Sequence, residues 1–222
     1  MEEAEMLPTA TRREDSTVSP AVACEDEAFI LFARRCDDVA QQNAGEPEML
    51  QPIRELTEAF VSDWQVQDPR YLECCPESPY ASYLLYVNEQ ATLSIVLDVF
   101  MPGQAAIIHN HRCWCAFTCL AGSERERLYK VASDLSAPPQ QIEERICPVG
   151  NVRVLGSDRH LFHQVECAST QPAVSLHLYG ADIGHLQRDL WDAEAGSHGR
   201  FVSFQSDYSN DTLGLPTYYA AH

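Results

Sequence analysis

Apolar residues recur along this chain with two different periods. From Glu25 onward, Ala28, Phe29, Ile30, Phe32, Ala33, Cys36 and Val39 follow one another at three-to-four spacing, which predicts an amphipathic helix. A second helix is predicted over 47–63, opening near Glu46-Pro47 because proline is tolerated in a first turn. Leu50, Ile53, Leu56, Phe60 and Val61 are its expected buried stripe. After "DPRYLECCPESPYAS" the chain changes character. "YLLYV", "TLSIVLDVF", "AFTCLAG", "ERLYKV", "VRVLG", "FHQVE" and "AVSLHLYG" are short segments rich in Val, Ile, Leu and aromatics, punctuated by Gly, Pro, Asn, Asp or Ser. "GRFVSFQSDYSN" predicts one more strand and a turn. Many short strands with no long helix between them predict a sandwich or barrel and exclude a βαβ arrangement. Residues 1–22, acidic and polar with Pro8 and Pro20, are expected to be a disordered tail. One domain is expected over 23–222, with a helical part at 23–72 and a β-barrel at 80–210.

Charge narrows the partners. With 15 basic against 33 acidic residues the net charge is −18, which argues against nucleic acid or an anionic membrane surface. Any anion site must be a local exception built from a few buried cations. No apolar run approaches the length of a membrane span. Nine cysteines, an odd number, do not space out as a disulfide framework, and "MEEAEMLPTA" lacks the basic and apolar regions of a signal peptide. These features predict a cytoplasmic protein with mostly free thiols, including the adjacent Cys74 and Cys75 beside a loop.

The candidate chemistry begins at "HNHRCWC", residues 109–115. On a strand, positions i and i+2 share a face, so His109 and His111 could meet one ion. Alone, the pair fits surface or core histidines as well. Downstream residues change this. Gly103, H-x-H and Gly122 after an apolar strand match the first sequence motif of a cupin barrel, and "CPVGNVRVLGSDRHLFHQVE" supplies Pro148, Gly150 and His163 for the second. Cupins usually place a Glu four or five positions after the second histidine, where this chain has Cys115 and Ala116. The expected site is therefore three neutral imidazoles with open coordination positions. Such a set leaves Fe(II) its full dipositive charge and favours a substrate that brings its own anion, such as a thiolate. Zinc suits the same ligands.

"HQVECASTQPAVSLHLYG", residues 163–180, together with "PGQAAIIHNHRCWCAFTCLAGSERERLY", resembles the thiol dioxygenases: cysteine dioxygenase and its bacterial relatives acting on 3-mercaptopropionate. The resemblance covers about residues 80–210, and the N-terminal helices fit it. It implies a mainly β fold, a cupin double-stranded β-helix (jelly-roll barrel) with N-terminal α-helices. It also implies His109, His111 and His163 as ligands of Fe(II), and Ser175, His177 and Tyr179 as a relay beside the metal. Alternation independently puts those three relay residues on one strand face, with Val174, Leu176 and Leu178 on the other. A purely structural hydrogen-bond ladder would look the same.

Arg188 lies nine residues past Tyr179, where the 3-mercaptopropionate branch carries its substrate-carboxylate arginine. Its guanidinium could hold a carboxylate through two hydrogen bonds; the alternative is a surface residue paired with Asp189 or Asp192. Cysteine dioxygenases place that arginine earlier, at positions matching Ser82 and Tyr83 here. The pattern is closest to the 3-mercaptopropionate branch. Cys115, however, stands where crosslinked cysteine dioxygenases carry a cysteine bonded to the relay tyrosine, so a Cys115–Tyr179 thioether is one alternative and a free thiol the other. Arg112 could reach the pocket mouth as a second substrate-binding cation. A bridge between Cys113 and Cys115 would be strained. Trp114 is expected outside the barrel or in the site wall, and His160, His185, His198 and His222 on the surface or in loops.

The resemblance implies a mononuclear non-haem Fe(II) dioxygenase that oxidises a small carboxylate-bearing thiol, 3-mercaptopropionate- or cysteine-like, with O2 to the sulfinic acid. The alternatives are a metal-dependent cupin lyase or isomerase working without O2, and a non-catalytic metal-binding sensor whose thiols report redox state. The expected partners are a small thiol and O2, with no nucleic acid or membrane, in a monomer or small homo-oligomer.

Overall fold

The computed structural model describes residues 21–22, 24–42, 45–74, 78–202 and 217–218. The expected tail at 1–20, together with Cys75, His222 and most of the stretch after Phe201, lies outside the described residues. Two helices precede the sheets. Helix α1 spans Glu27–Ala40, and its first turn is capped by Asp26, whose carboxylate accepts from the Phe29 N–H at 2.9 Å. Helix α2 spans Glu46–Val61 with Pro47 in its first turn. They meet through aromatic side chains, Phe32 stacking on Phe60 with centroids 4.1 Å apart.

The strands are β1 (Ala21–Val22), β2 (Ala81–Val87), β3 (Ser94–Phe100), β4 (Ile108–His109), β5 (Cys115–Ala121), β6 (Ser123–Lys130) and β7 (Gln140–Pro148). They continue with β8 (Arg153–Leu155), β9 (Leu161–Cys167), β10 (Ala173–Tyr179), β11 (Arg188–Asp192), β12 (Ser197–Phe201) and β13 (Thr217–Tyr218). One sheet runs β1-β2-β3-β10-β5-β8, with β13 also on β2; the other runs β12-β11-β4-β9-β6-β7. The strand ladders are antiparallel, and from β3 to β6 and again from β7 to β11 successive strands alternate between the two sheets, which makes the architecture the cupin double-stranded β-helix. Among the described residues no helix is long and apolar enough to cross a membrane.

The first sheet is buried on both faces, which explains why β3 and β10 read as near-continuous apolar runs. Its outer face, including Tyr83, Leu85, Ile95, Leu97, Val174, Leu176 and Leu178, packs against Phe29, Phe32, Ile53 and Trp64 of the helical layer. Trp114 joins this outer layer, outside the barrel. There it rests on Gly180, where an added Cβ would lie 2.1 Å from the indole Nε1; the residue after Tyr179 can therefore carry no side chain. The inner face holds Leu84, Val96, Cys115, Phe117, Cys119 and Tyr179.

Three expectations need correction. The strand carrying the first histidine pair stops at His109, so His111 lies in the following turn and not on a continuous strand. The β7 and β11 strands were not signalled by the apolar pattern: β7 is an edge strand with charged residues, "QQIEERICP", as edges usually are. Residues Ala21–Val22, at the end of the expected tail, pair with β2. The eight described cysteines, Cys113 and Cys115 among them, are free thiols.

Candidate active site

His109, His111 and His163 converge inside the barrel. Strand pairing does most of this, because His109 sits directly opposite His163 in the β4–β9 ladder. His111 follows in the turn, and the next residue, Arg112, has φ 57, a left-handed conformation that breaks the strand alternation and redirects the chain. One nitrogen from each ring lies within 4.8 Å of the others, and all three residues are buried.

The other ring nitrogens settle which atoms face the centre. His109 Nδ1 is 2.8 Å from the Ile107 carbonyl, which can only accept, so Nδ1 carries the proton and Nε2 the lone pair. His163 Nδ1 lies 3.2 Å from Glu126 Oε1. Burial would push the Glu126 carboxyl up, but the His163 hydrogen bond and the Arg153 guanidinium, 3.0 Å away, more than offset it and hold it below the usual range. A carboxylate cannot donate, so His163 Nδ1 is the donor in that contact and Nε2 is the nitrogen turned toward the trio. His163 Nε2 and His111 Nε2 are 2.9 Å apart. Two metal–nitrogen bonds of about 2.1 Å at a right angle would span about 3 Å, so this pair of donors is spaced as two ligands of one ion. Burial pushes His109 and His111 well below the usual imidazole range, aided by their neighbour His163, so both stay neutral. The Glu126–His163 contact is the second-layer carboxylate that metal-binding histidines commonly use to fix the ring.

Beside this trio runs the polar face of β10. Ser175 Oγ lies 2.8 Å from His177 Nε2, and the Tyr179 hydroxyl 3.3 Å from His177 Nδ1, all buried. Phe117 stacks on the His177 ring at 5.1 Å. Burial draws His177 down to about 3, so it is a neutral link between the two hydroxyls. Tyr179 reaches the metal trio: its ring is edge-on to His111, with centroids 4.9 Å apart. Burial keeps both Tyr179 and Cys115 protonated, and the two are direct cross-strand neighbours on the inner face.

A small cavity joins these groups, lined by His109, His163, His177 and Tyr179 on its polar side and by Phe100 and Val165 among its apolar residues. Its free space of about 20 Å³ is about that of one water. Arg188 lines it too, 3% exposed, with its guanidinium 4.3 Å over the Phe201 ring. It is thus neither on the surface nor at an arbitrary place: β11 pairs with β4, the strand of His109. Arg112 goes elsewhere. Its Nε is 3.5 Å from Asp189 Oδ2, and it is not among the cavity residues. His160, His185 and His198 do not join the metal trio.

With this arrangement in view, the family is decided by a sequence-family match: the model described as cysteine dioxygenase type I covers residues 29–188. The chain belongs to the cysteine dioxygenase type I family. Similar solved structures include a Thermus thermophilus protein, 21% identical over 53% of this chain and 98% of its own, with TM-score 0.39. Another is oxalate oxidase in complex with the substrate analogue glycolate, 13% identical over 54% of this chain and 59% of that one, with TM-score 0.42. A third is a double-stranded β-helix domain protein from Klebsiella pneumoniae, 10% identical over 54% of this chain and 92% of its own, with TM-score 0.40.

This cysteine dioxygenase family member carries carboxyl groups near its site that motif reading passed over. In "SERERLYK", alternation sets Glu124, Glu126 and Leu128 on the buried face against Arg125 and Arg127, and the apolar Leu128 marks that face as inward. In "SIVLDVF", Asp98 is one charge in an apolar strand. Glu124 is fully buried, and neither carboxylate oxygen has a partner of normal hydrogen-bond geometry, although Ser175 and Cys119 are close enough to draw its pKa down in part. Burial wins and pushes it from its ordinary 4.5 up to about 8. Between those values the folded protein holds a proton that the unfolded chain releases, so this group makes stability fall as pH rises through that window and level off above about 8. Glu124→Gln should therefore melt higher than the wild type at high pH, with the difference vanishing near pH 5. At about 1.4 kcal/mol per pH unit, the gap of 8 − 4.5 caps the gain at about 5 kcal/mol. Equal melting-temperature differences at both ends of the pH range would refute it.

Proposed function

We propose that this protein is a mononuclear non-haem Fe(II) thiol dioxygenase. It converts a small carboxylate-bearing thiol, 3-mercaptopropionate- or cysteine-like, into the sulfinic acid, both atoms of O2 passing to the sulfur (RSH + O2 → RSO2H). One observation carries the reading: the buried trio of His109, His111 and His163 and the Ser175–His177–Tyr179 chain meet at one small cavity that His109, His163, His177, Tyr179 and the buried Arg188 line. His109, His111 and His163 would hold the ion, and bound iron would supply thiol activation and the redox chemistry of O2.

The remaining work falls to side chains of this chain. Arg188 binds the substrate carboxylate through its planar fork of N–H donors. It is also the local cation that a protein of net charge −18 needs to attract an anion. Tyr179 offers a hydroxyl proton at the cavity wall. His177, neutral and stacked on Phe117, keeps that hydroxyl pointed, and Ser175 holds the opposite side of the imidazole. Phe100, Val165 and Ile183 limit water around the sulfur. The test is an oxygen electrode with the Fe(II)-loaded chain and a panel of small thiols. Oxygen consumption matched by sulfinate formation is expected; no uptake with any thiol, or turnover that proceeds without O2, would sink the reading.

A further inference from the structure

Three of the five large apolar side chains exposed among the described residues, Ile142, Ile146 and Val149, lie on β7 or just past its end. β7 is the last strand of its sheet, and no described strand pairs with its outer edge. Toward its end the Cys147 carbonyl accepts from the Cys119 thiol, and Val149 bridges to Cys119, so the open stretch of edge is 140–146. Along it Ile142, Glu144 and Ile146 are exposed, whereas Glu143 and Arg145 are half-buried. The bulge in the β6–β7 ladder, where Leu128 faces Glu143 and Tyr129 faces Gln141, leaves that outward alternation intact. An open edge with apolar side chains is a template for another strand.

The strand that fits it is its own copy. In a two-fold antiparallel pair, facing residues have numbers of constant sum, and the sum must be even for their side chains to share a face. With the axis at Glu144, Ile142 faces Ile146 of the second copy and Glu143 faces its Arg145, and symmetry makes each contact twice. Moving the axis to Glu143 or Arg145 would set Ile142 or Ile146 against Glu144 and lose the charge pairs. The one like-charged contact, Glu144 against its own copy, is compensated within each chain: Arg127 Nε is 2.8 Å from one Glu144 oxygen and Arg125 Nε 3.5 Å from the other. Local balance matters because two chains of net charge −18 repel. Four of the 15 basic residues, Arg125, Arg127, Arg145 and Arg153, gather on this side of the barrel, each in an ion pair. We propose that β7 is a homodimer interface, two copies pairing antiparallel about a two-fold axis at Glu144 so that their six-stranded sheets become continuous. The interface requires nothing of the metal site or its thiol chemistry.

Sedimentation equilibrium of the full chain should show monomer and dimer exchanging with a dissociation constant of roughly 1–100 μM, since so short a ladder buries less than a standard interface. Ile146→Lys breaks both Ile–Ile contacts and should weaken association by at least about tenfold. Leu31→Lys, at an exposed apolar position on α1, should change nothing. The register has its own test. Glu143→Arg and Arg145→Glu each oppose like charges twice and should weaken self-association by roughly 3- to 30-fold. Mixed in equal amounts, the two variants regain both charge pairs and should associate with each other as tightly as the wild type. If a charge variant folds poorly, the wild type, Ile146→Lys and Leu31→Lys still decide the interface. A chain that stays monomeric at concentrations about tenfold above that range overturns the proposal. So does a dimer that Ile146→Lys leaves intact, or a pair of charge variants that associate no better together than alone.

Discussion

Replacing His163 with alanine should empty the metal site and abolish oxygen uptake while leaving the fold intact. The ion would be left with two neutral nitrogens, from His109 and His111, and no protein carboxylate directly in the trio to make up the loss. Disturbing only a second-layer partner of a metal ligand typically costs 10- to 100-fold in affinity or activity; removing the ligand itself should exceed about 100-fold. The fold survives because the buried group that His163 contacts, Glu126, keeps its second partner, the Arg153 guanidinium at 3.0 Å. Metal content by atomic absorption, oxygen uptake and a melting curve together check this. A variant that loses activity only because it unfolds, or that keeps its metal and turnover, would show that the trio is not the centre.

The second large effect belongs to Arg188. Arg188→Ala should raise the KM for carboxylate-bearing thiols by roughly 30-fold to more than a thousandfold, because truncating one partner of a buried charged contact costs about 2–5 kcal/mol. It removes the fork that would hold the carboxylate and leaves the Phe201 ring without its cation. Cysteamine, which has a thiol and an ammonium but no carboxylate, should be processed no worse by the variant than by the wild type. That contrast separates substrate binding from a general defect. If 3-mercaptopropionate, cysteine and cysteamine all lose equally, Arg188 is a structural cation and the carboxylate is held elsewhere.

Much of the site was readable before the fold. The H-x-H pair, the third histidine before "QVE", and the alternation of "SLHLY" each rest on local rules: strand periodicity and the coordinating chemistry of imidazole. The structure brings together the trio and Arg188, and places Ser175, His177 and Tyr179 on the inner face with Leu176 and Leu178 outside. The strand argument for His111 is where a local rule failed. The strand ends at His109, and His111 reaches the centre from the turn before Arg112, whose positive φ no periodicity announces. Arg112 also shows the limit of inferring a role from adjacency to a ligand, since the buried Asp189 draws it away from the cavity.

The carboxyl groups are the sharper lesson. Glu124, Glu126 and Asp98 lie on strands whose alternation marks them as inward, yet the same letters occur on countless solvated strands, and only burial distinguishes the cases. Their chemistry differs although their residue types hardly do. Glu126 is held ionised by His163 and Arg153, Glu124 is driven up to about 8 by burial that Ser175 and Cys119 only partly offset, and burial lifts Asp98 to about 7 against Ser82 and Arg188.

The sequence by itself determined the strand faces, the amphipathic helices, the ligand types and the family, because these depend on residue chemistry and on spacing along one element. Tertiary structure decided what meets what. His109 faces His163 because β4 pairs β9, Arg188 arrives because β11 pairs β4, and Asp98 shares the cavity with Arg188 because one comes from each sheet. Such pairings are long-range, chosen by how the strands of both sheets bury their inner faces at once, and no local period encodes them.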